Sequence, residues 1–471
     1  MTPPRSNEKR PLAALLVPDL LELLAESPES VGPQTEEMHP ADLADLAEAL
    51  PEEHVRAFLF ALSKERAAEV LEYLDEELRT QVLEELTAGE AASLVAEMTP
   101  DERADVLEEL DEETADDILS ELGAEAQAET ERLLDYDPYT AGGIMTTEFV
   151  SVDENLTIEE ALRSVRAMAR AGRREAMYTI YTTDSNRRLR GVLSLRELLA
   201  APEGARIVDQ AWSEVVSVPP DMLQEEVSQI ISNYDLVTLP VVDGERRLLG
   251  VVTVDDAIDV IQEEQTEDVQ KFGGMEAIDE PYMQASLLQN VRKRAGWLSI
   301  LAVSEMLTAS AMAHYQSDID KATMLAQFIP LVMSSGGNSG SQATSLIIRA
   351  MALGEVTLKD WWRIVLRELP AGLILGSILG MLAVARILTW QNLGLYNYGP
   401  SHNMVAMAVG LALIGIVTFG SLTGSMLPFV LRRLGFDPAS ASAPFVATLV
   451  DVTGISIYFS VAYIVLRGTL L

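Results

Sequence analysis

The sequence predicts a multidomain protein with four parts in order: an all-α acidic superhelix, an α/β tandem repeat, a connecting helix and a five-helix transmembrane domain. Three observations predict it. Blocks of 11 residues recur every 12 residues from Pro40 to Leu122. A longer strand-and-helix pattern appears twice between Phe149 and Ile258. Five apolar segments, each roughly long enough to span a bilayer, follow Pro281.

Charge separates the halves. Residues 1–280 carry 22 Lys/Arg against 65 Asp/Glu, a balance of −43, while residues 281–471 carry 12 against 8. The sign excludes a nucleic-acid binder. It fits either a solubilising surface or one that binds divalent cations. The chain has no cysteine, so thiolate sites and disulfides are excluded. Its four histidines are scattered and form no HExxH, so any metal would be a hard cation on oxygen ligands. Met1–Pro18 has no long apolar core and reads as no signal peptide.

Residues 1–36, with Pro, Ser, Glu and Arg, are expected to be a flexible tail. Residues 37–136 form the N domain. Its seven blocks run from PADLADLAEAL to EETADDILSEL; each ends in Leu or Met, with apolar residues three and four positions earlier. That is one short helix per block, and one-residue joins stack the helices into a superhelix.

Residues 137–262 hold the second repeat. "FVSVDENLTIEEALR" matches "VVSVPPDMLQEEVSQ", and "RLRGVLSLRELL" matches "RLLGVVTVDDAI". Each copy reads strand, helix, strand, strand, helix, with about seven extra residues around "ARAGRRE" in the first. The pair resembles tandem CBS domains, a regulatory module. That resemblance implies adenine nucleotide such as ATP in the cleft, with no residue assigned to it.

Residues 263–291 are expected to be the connecting helix and 292–471 the transmembrane domain. Asp255, Asp256, Asp259, Glu263, Glu264, Glu267 and Asp268 crowd one helical stretch. Like charges three and four apart repel, which a solvated helix tolerates and a bound divalent cation would reverse. The spans lie near Ala295–Tyr315, Met324–Leu346, Pro370–Trp390, Met404–Leu427 and Pro444–Leu466. Arg292, Lys293 and Arg294, then Arg349, Lys359, Arg363 and Arg367, then Arg432 and Arg433 mark alternate connections. The positive-inside rule then places the N-terminus in the cytoplasm and the short C-terminus outside.

Gly372, Gly376 and Gly380 form a small-xxx-small packing face. "SSGGNSGSQATS", Ser334–Ser345, is polar and glycine-rich at membrane depth, which points to pore lining over packing alone. Asp451 lies about a third of the way into the last span, with Ala447, Thr448 and Gly454 on its face. Unless Arg386 reaches inward, no Lys or Arg stands at its depth, so a cation is its natural partner. Glu305 in the first span is a second, weaker candidate.

The order of parts, and the matches "TAGGIMT", "YDLVTLPVVD", "GVVTVDDAIDV", "TEDVQK", "GGNSGSQATSLIIRA", "LPFVLRRLGFDPA" and "PFVATLVDVTG", resemble the MgtE family of magnesium channels from about Met38 to Leu471. The resemblance implies a Mg2+ channel in the plasma membrane (the inner membrane of a Gram-negative cell), gated closed by cytosolic Mg2+. It implies a homodimer with the pore between subunits, and no enzyme activity or obligatory protein partner. Asp451 matches the pore carboxylate, and Asn338 and Ala447 would line the same path. Regulatory Mg2+ ligands map onto Glu225, Asp235, Asp256, Asp259, Glu264, Glu267 and Asp268, and in the superhelix onto Glu69, Asp101 and Asp105. Leu223 stands where a relative has an acidic residue, and Ala443 replaces a polar residue before the proline at the pore mouth.

A CBS-regulated exchanger for cobalt or manganese is the alternative, since carboxylates accept all these ions. An intramembrane protease lacks its motifs here: neither GxGD nor HExxH occurs. A pure scaffold explains neither Asp451 nor the glycine-rich span.

Overall fold

The computed structural model describes residues 11–170, 178–202, 204–278, 282, 285–321 and 323–467, which form two compact units, Met1–Ile261 and Gln262–Leu471. Most of the first copy's expected extra segment, at 171–177, lies outside the described residues.

The first unit opens with helices where a tail was expected. α1 (Pro11–Glu26) and α2 (Val31–Thr35) occupy most of residues 1–36. Ala13, Leu20, Leu24 and Val31 are buried in the same core as the superhelix. The apolar stripe outweighs the composition that suggested disorder, because Pro18 and Pro28 sit on the exposed side. Only residues 1–10 of that expected tail fall outside the described chain.

One helix then follows per block: α3 (Pro40–Ala49), α4 (Glu52–Phe60), α5 (Lys64–Glu72), α6 (Glu76–Glu84), α7 (Ala88–Val95), α8 (Pro100–Glu109) and α9 (Glu112–Glu121). Caps restart each helix after so short a join. Ser63 Oγ accepts from Arg66 N, Thr87 and Glu90 form a capping box, and Asp111 accepts from Glu113 N and Thr114 N. The block-ending Leu50, Leu74, Leu86, Met98, Leu110 and Leu122 all enter the core. α10 (Ala124–Leu134) leads out of the superhelix.

The first α/β copy comprises β1 (Val150–Asp153), α11 (Ile158–Arg170), β2 (Thr179–Thr183), β3 (Leu189–Ser194), α12 (Leu195–Ala200) and α13 (Ile207–Gln210). Its sheet order is β1-β2-β3, parallel then antiparallel. The second copy has α14 (Gln224–Tyr234), then β4 (Thr238–Val242) antiparallel to β5 (Leu248–Thr253). Its expected first strand shrinks to a single bridge, Val218 to Val241. Pro219 and Pro220 follow at once and have no N–H to extend the ladder. The copies meet through Phe149, Tyr181, Leu189, Val242, Leu248 and Val251. Tyr181 Oη and Thr238 Oγ1, 2.6 Å apart, share a hydrogen bond across that seam.

α15 (Val254–Phe272) starts inside the second copy and stops well short of the expected 263–291. Gly273 and Gly274 end it; Gly274 takes φ +79°, which an L side chain rarely adopts. The next helix is capped anew by Ser286 Oγ.

The second unit is helical: α16 (Leu287–His314), the short α17 (Gln316–Lys321) and α18 (Thr323–Ala326), then α19 (Ile329–Ala352), α20 (Trp361–Asn392), α21 (His402–Arg433) and α22 (Ala443–Leu466). Among the described residues, α16, α20, α21 and α22 are long and apolar enough to cross a membrane. α19 has 24 residues, so its length suffices, but its polar residues keep it out of that set. α21 packs on α20, α19 and α22. Side chains added at Gly372, Gly376 or Gly380 would strike Thr418, Ile414 or Gly410 of α21, as the small-residue face predicts.

Candidate cation sites

In the first unit, carboxylates converge where α8 comes near the start of α15. Asp101 is buried, and its Oδ1 meets no hydrogen-bond partner at good geometry, although the Thr99 and Thr146 hydroxyls lie near enough to favour its charged form. Burial, before any neighbour's charge, raises the Asp101 carboxyl. Asp256 at the start of α15 accepts from Thr253 Oγ1 at 2.6 Å, yet burial and then the charge of Asp101 push it to about 7. Asp105 is exposed as a residue, yet the chain packed around its carboxyl, and then Asp101's charge, push it to about 7.

Two further members escaped the sequence reading. Glu102 is pushed to about 9 by burial and then by Asp101 and Glu72; Glu72 is pushed to about 7 by burial and then by Asp101. The run "PDERAD" carried a hint of Glu102, but Glu72 arrives from α5, three blocks earlier. The one basic group that acts on both, Arg79, is already bonded to Glu109. Five acids that gain by protonation, around an orphaned carboxylate oxygen, fit a hard cation. Among the described residues no three His, Asp or Glu side chains converge closely enough to hold a metal as they stand. A cation would therefore draw the cluster together.

The other expected regulatory residues are dispersed. Asp259 lies one turn beyond Asp256, and its carboxyl is raised by burial and Asp255. Glu225 and Asp235 sit at opposite ends of α14, about 15 Å apart by helical rise, and one chain does not bring them together. Leu223, the N-cap of α14, is exposed. Glu69 pairs with Arg66 at 3.1 Å beside a hollow of about 700 Å³. Glu264, Glu267 and Asp268 lie on α15, where Glu267 meets Lys271 at 2.5 Å.

In the second unit, α19 and α22 form an antiparallel seam. Ser341 Oγ donates to the Ala443 carbonyl at 3.3 Å, and a side chain at Gly337 would meet Ala447. Carried one turn on, this register brings Ser334 to the level of Asp451. The glycine-rich stretch divides by face. Gly336, Gly337 and Gly340 turn inward against α21 and α22, while Ser334, Asn338, Gln342 and Ser345 are exposed. Asn338 Nδ2 reaches Ser334 Oγ at 3.4 Å. Asp451 is half-buried, with no cationic partner among the described residues. Glu305 of α16 acts on it, like charge on like. Arg386 does not reach inward; its guanidinium stacks over Trp390, 4.2 Å from the ring centre.

Long apolar helices joined to a strongly acidic half are those of a multi-pass membrane protein, a divalent cation transporter and not an enzyme. The comparisons agree. The profile of the MgtE family, described as a divalent cation transporter, matches residues 329–461; the MgtE intracellular N domain matches 38–139, and CBS domains match 141–204 and 208–263. The magnesium transporter MgtE of Thermus thermophilus is 43% identical over 73% of each chain, and that of Enterococcus faecalis 36% identical over 73% of each. The crystal structure of the soluble part of a magnesium transporter matches with a TM-score of 0.50 and 33% identity, over 54% of this chain and 99% of that one. The chain belongs to the MgtE family.

Proposed function

We propose that this protein carries Mg2+ into the cell across its plasma membrane, along a pore that cytosolic Mg2+ closes. The observation that carries the reading is Asp451: a carboxylate between apolar turns, beside the polar face of α19, with a second acid and no base near it. Mg2+ gives up its water reluctantly, and a carboxylate with small neighbours leaves room for a hydrated ion. The names of the relatives, magnesium transporters, support Mg2+ over cobalt or manganese.

The working unit is a homodimer. Asn338, Ala447 and Asp451 lie on a side of the α19–α22 seam left open in one chain, and α16 leaves Val303, Met306 and Leu307 uncovered. A second copy would set two such faces opposite one another. All five long helices cross the membrane, with the N-terminus inside and the C-terminus outside.

Closure follows from electrostatics. At low cytosolic Mg2+ the acidic half repels itself. At high Mg2+, ions bind Asp101, Asp105 and Asp256 between the superhelix and the CBS pair. Further ions bind Glu225, Asp235 and Asp259, and Glu264, Glu267 and Asp268 on α15. The domain compacts and the pore shuts. Such ions shift the balance only by binding the closed state better, and several sites together supply the few kcal/mol required. Adenine nucleotide has a place at the CBS pair, in an open hollow of about 660 Å³ lined by Tyr178, Thr179, Ser194, Arg196 and Leu199.

The test is Mg2+ uptake into proteoliposomes by the intact chain and by Asp451→Asn, at low and high Mg2+ on the cytosolic-domain side. Uptake shut by high Mg2+ and lost in Asp451→Asn is the expected result; normal uptake by Asp451→Asn would sink the pore assignment.

A further inference from the structure

α15 does not end free. Lys271, in its last turn, places Nζ 2.5 Å from Glu267 Oε1 and 2.6 Å from Asp437 Oδ2. Asp437 lies between α21 and α22, 166 residues further along the chain. Its other oxygen, Oδ1, accepts from Ala439 N at 2.8 Å and caps the turn Pro438–Ser440. That turn runs into Ser442, the N-cap of α22, which also accepts from Trp297 Nε1 at 3.0 Å. Phe272, next to Lys271, packs on the Ile348, Ala439 and Ala441 cluster. The end of α15 is thus fastened to the entrance of the helix that carries Asp451, by one ammonium and one aromatic ring.

We propose that Lys271 is a positioning residue for gating: it passes cation occupancy of α15 to the start of α22 through Asp437. This rests on the reading of Glu264, Glu267 and Asp268 as regulatory ligands. One ammonium shared by two carboxylates serves each only in part. A divalent cation that takes Glu267 displaces the ammonium from it, and Lys271 then belongs wholly to Asp437. The link to the mouth of α22 tightens as the ion binds, which is the sense needed for closure. With Glu267 empty, Lys271 is drawn back along its own helix and the link slackens. Lys271 also keeps two acids from meeting unpaired, as a built-in competitor that the external ion must displace.

The experiment measures Mg2+ uptake by the full chain in proteoliposomes against Mg2+ on the cytosolic-domain side, with protease protection by Mg2+ as a second readout. Lys271→Gln and Asp437→Asn are each expected to raise the Mg2+ needed for half-closure about tenfold. The pair together should raise it no further, because both break one link. Lys271→Arg, which keeps the charge, should stay near the parent. Mg2+ should still protect the Lys271→Gln variants from protease, at or below the parental concentration, since the ammonium that competes for Glu267 is gone. Unchanged closure in both single variants overturns the proposal, as does an additive double variant. Neutralising Glu264, Glu267 and Asp268 separates the two layers. If closure ignores that change, the cation reading of α15 has failed; if closure responds to it but not to Lys271→Gln, the link alone has failed.

Discussion

Two groups of carboxylates in this molecule are handled in opposite ways. Around Asp101 the acids of α5, α8 and α15 are crowded and partly desolvated, with an orphaned oxygen, while Arg79 is bonded to Glu109 and the buried Arg103 to the Val95 and Met98 carbonyls. At the end of α15, Glu267 and Asp437 are brought just as close, but a lysine from the chain sits between them. On the function proposed above, a cation reaches the first group with no basic side chain to displace, whereas at the second an incoming ion must first displace Lys271 from Glu267. Asp451 belongs with the first kind, and Glu69, paired with Arg66, with the second.

That contrast can be broken by experiment, most severely at Asp451. Asp451→Asn should lower Mg2+ uptake in proteoliposomes by at least about tenfold if, as proposed, this carboxylate, with no basic partner among the described residues, holds the ion. Retained uptake would remove Asp451 from the group that seeks an ion. Next, Asp101→Asn with Asp256→Asn should raise the Mg2+ needed for protease protection by about tenfold. An unshifted curve would mean that the crowding is mere surface charge.

The third test uses protons. Glu72, Asp105 and Asp256 at about 7, and Glu102 at about 9, hold protons in the folded state that the unfolded chain has released. Between roughly pH 5 and 9 the folded state therefore binds more protons, and stability falls as pH rises. The Tm of chelator-treated protein should drop by several degrees from pH 5.5 to 8.5, and 10 mM Mg2+ should remove most of that drop. A Tm flat across that range would show that the five acids are not coupled. The smallest effect is expected at Glu69→Gln, less than about threefold on half-closure, because Arg66 already satisfies that carboxylate. A large effect there would place Glu69 among the ion-seeking acids after all.

Much of this was legible in the sequence. The 12-residue period marks all seven superhelix helices, because each helix must restart from a cap and bury its last apolar residue. The division of Ser334–Ser345 was half legible: polar residues four apart and glycines between them predict two faces, but which face meets α21 is decided by packing. Other features depend on backbone chemistry that competes with pattern. α1 was hidden by its prolines, the first strand of the second copy is cut off by Pro219 and Pro220, and α15 ends early at two glycines. The contacts most remote in sequence left no local trace. Nothing near Lys271 announces Asp437, and nothing near Asp101 announces Glu72.

The glycines of α21 have a mechanical consequence. On one side Gly420 and Gly424 lie against the backbone oxygens of Gly336 and Gly340 in α19; on the other, Gly410 meets Gly380 in α20. Backbones in such contact sit as close as small residues allow, so an added side chain would push the helices apart. α21 is the stator of the bundle, clamped on both flanks. On the function proposed above, the movement that opens and shuts the path then falls to the rotor side, to α16 with its uncovered face and to the entrance of α22. A single methyl at Gly420 would act as a wedge in the stator, stalling the machine without touching the ion.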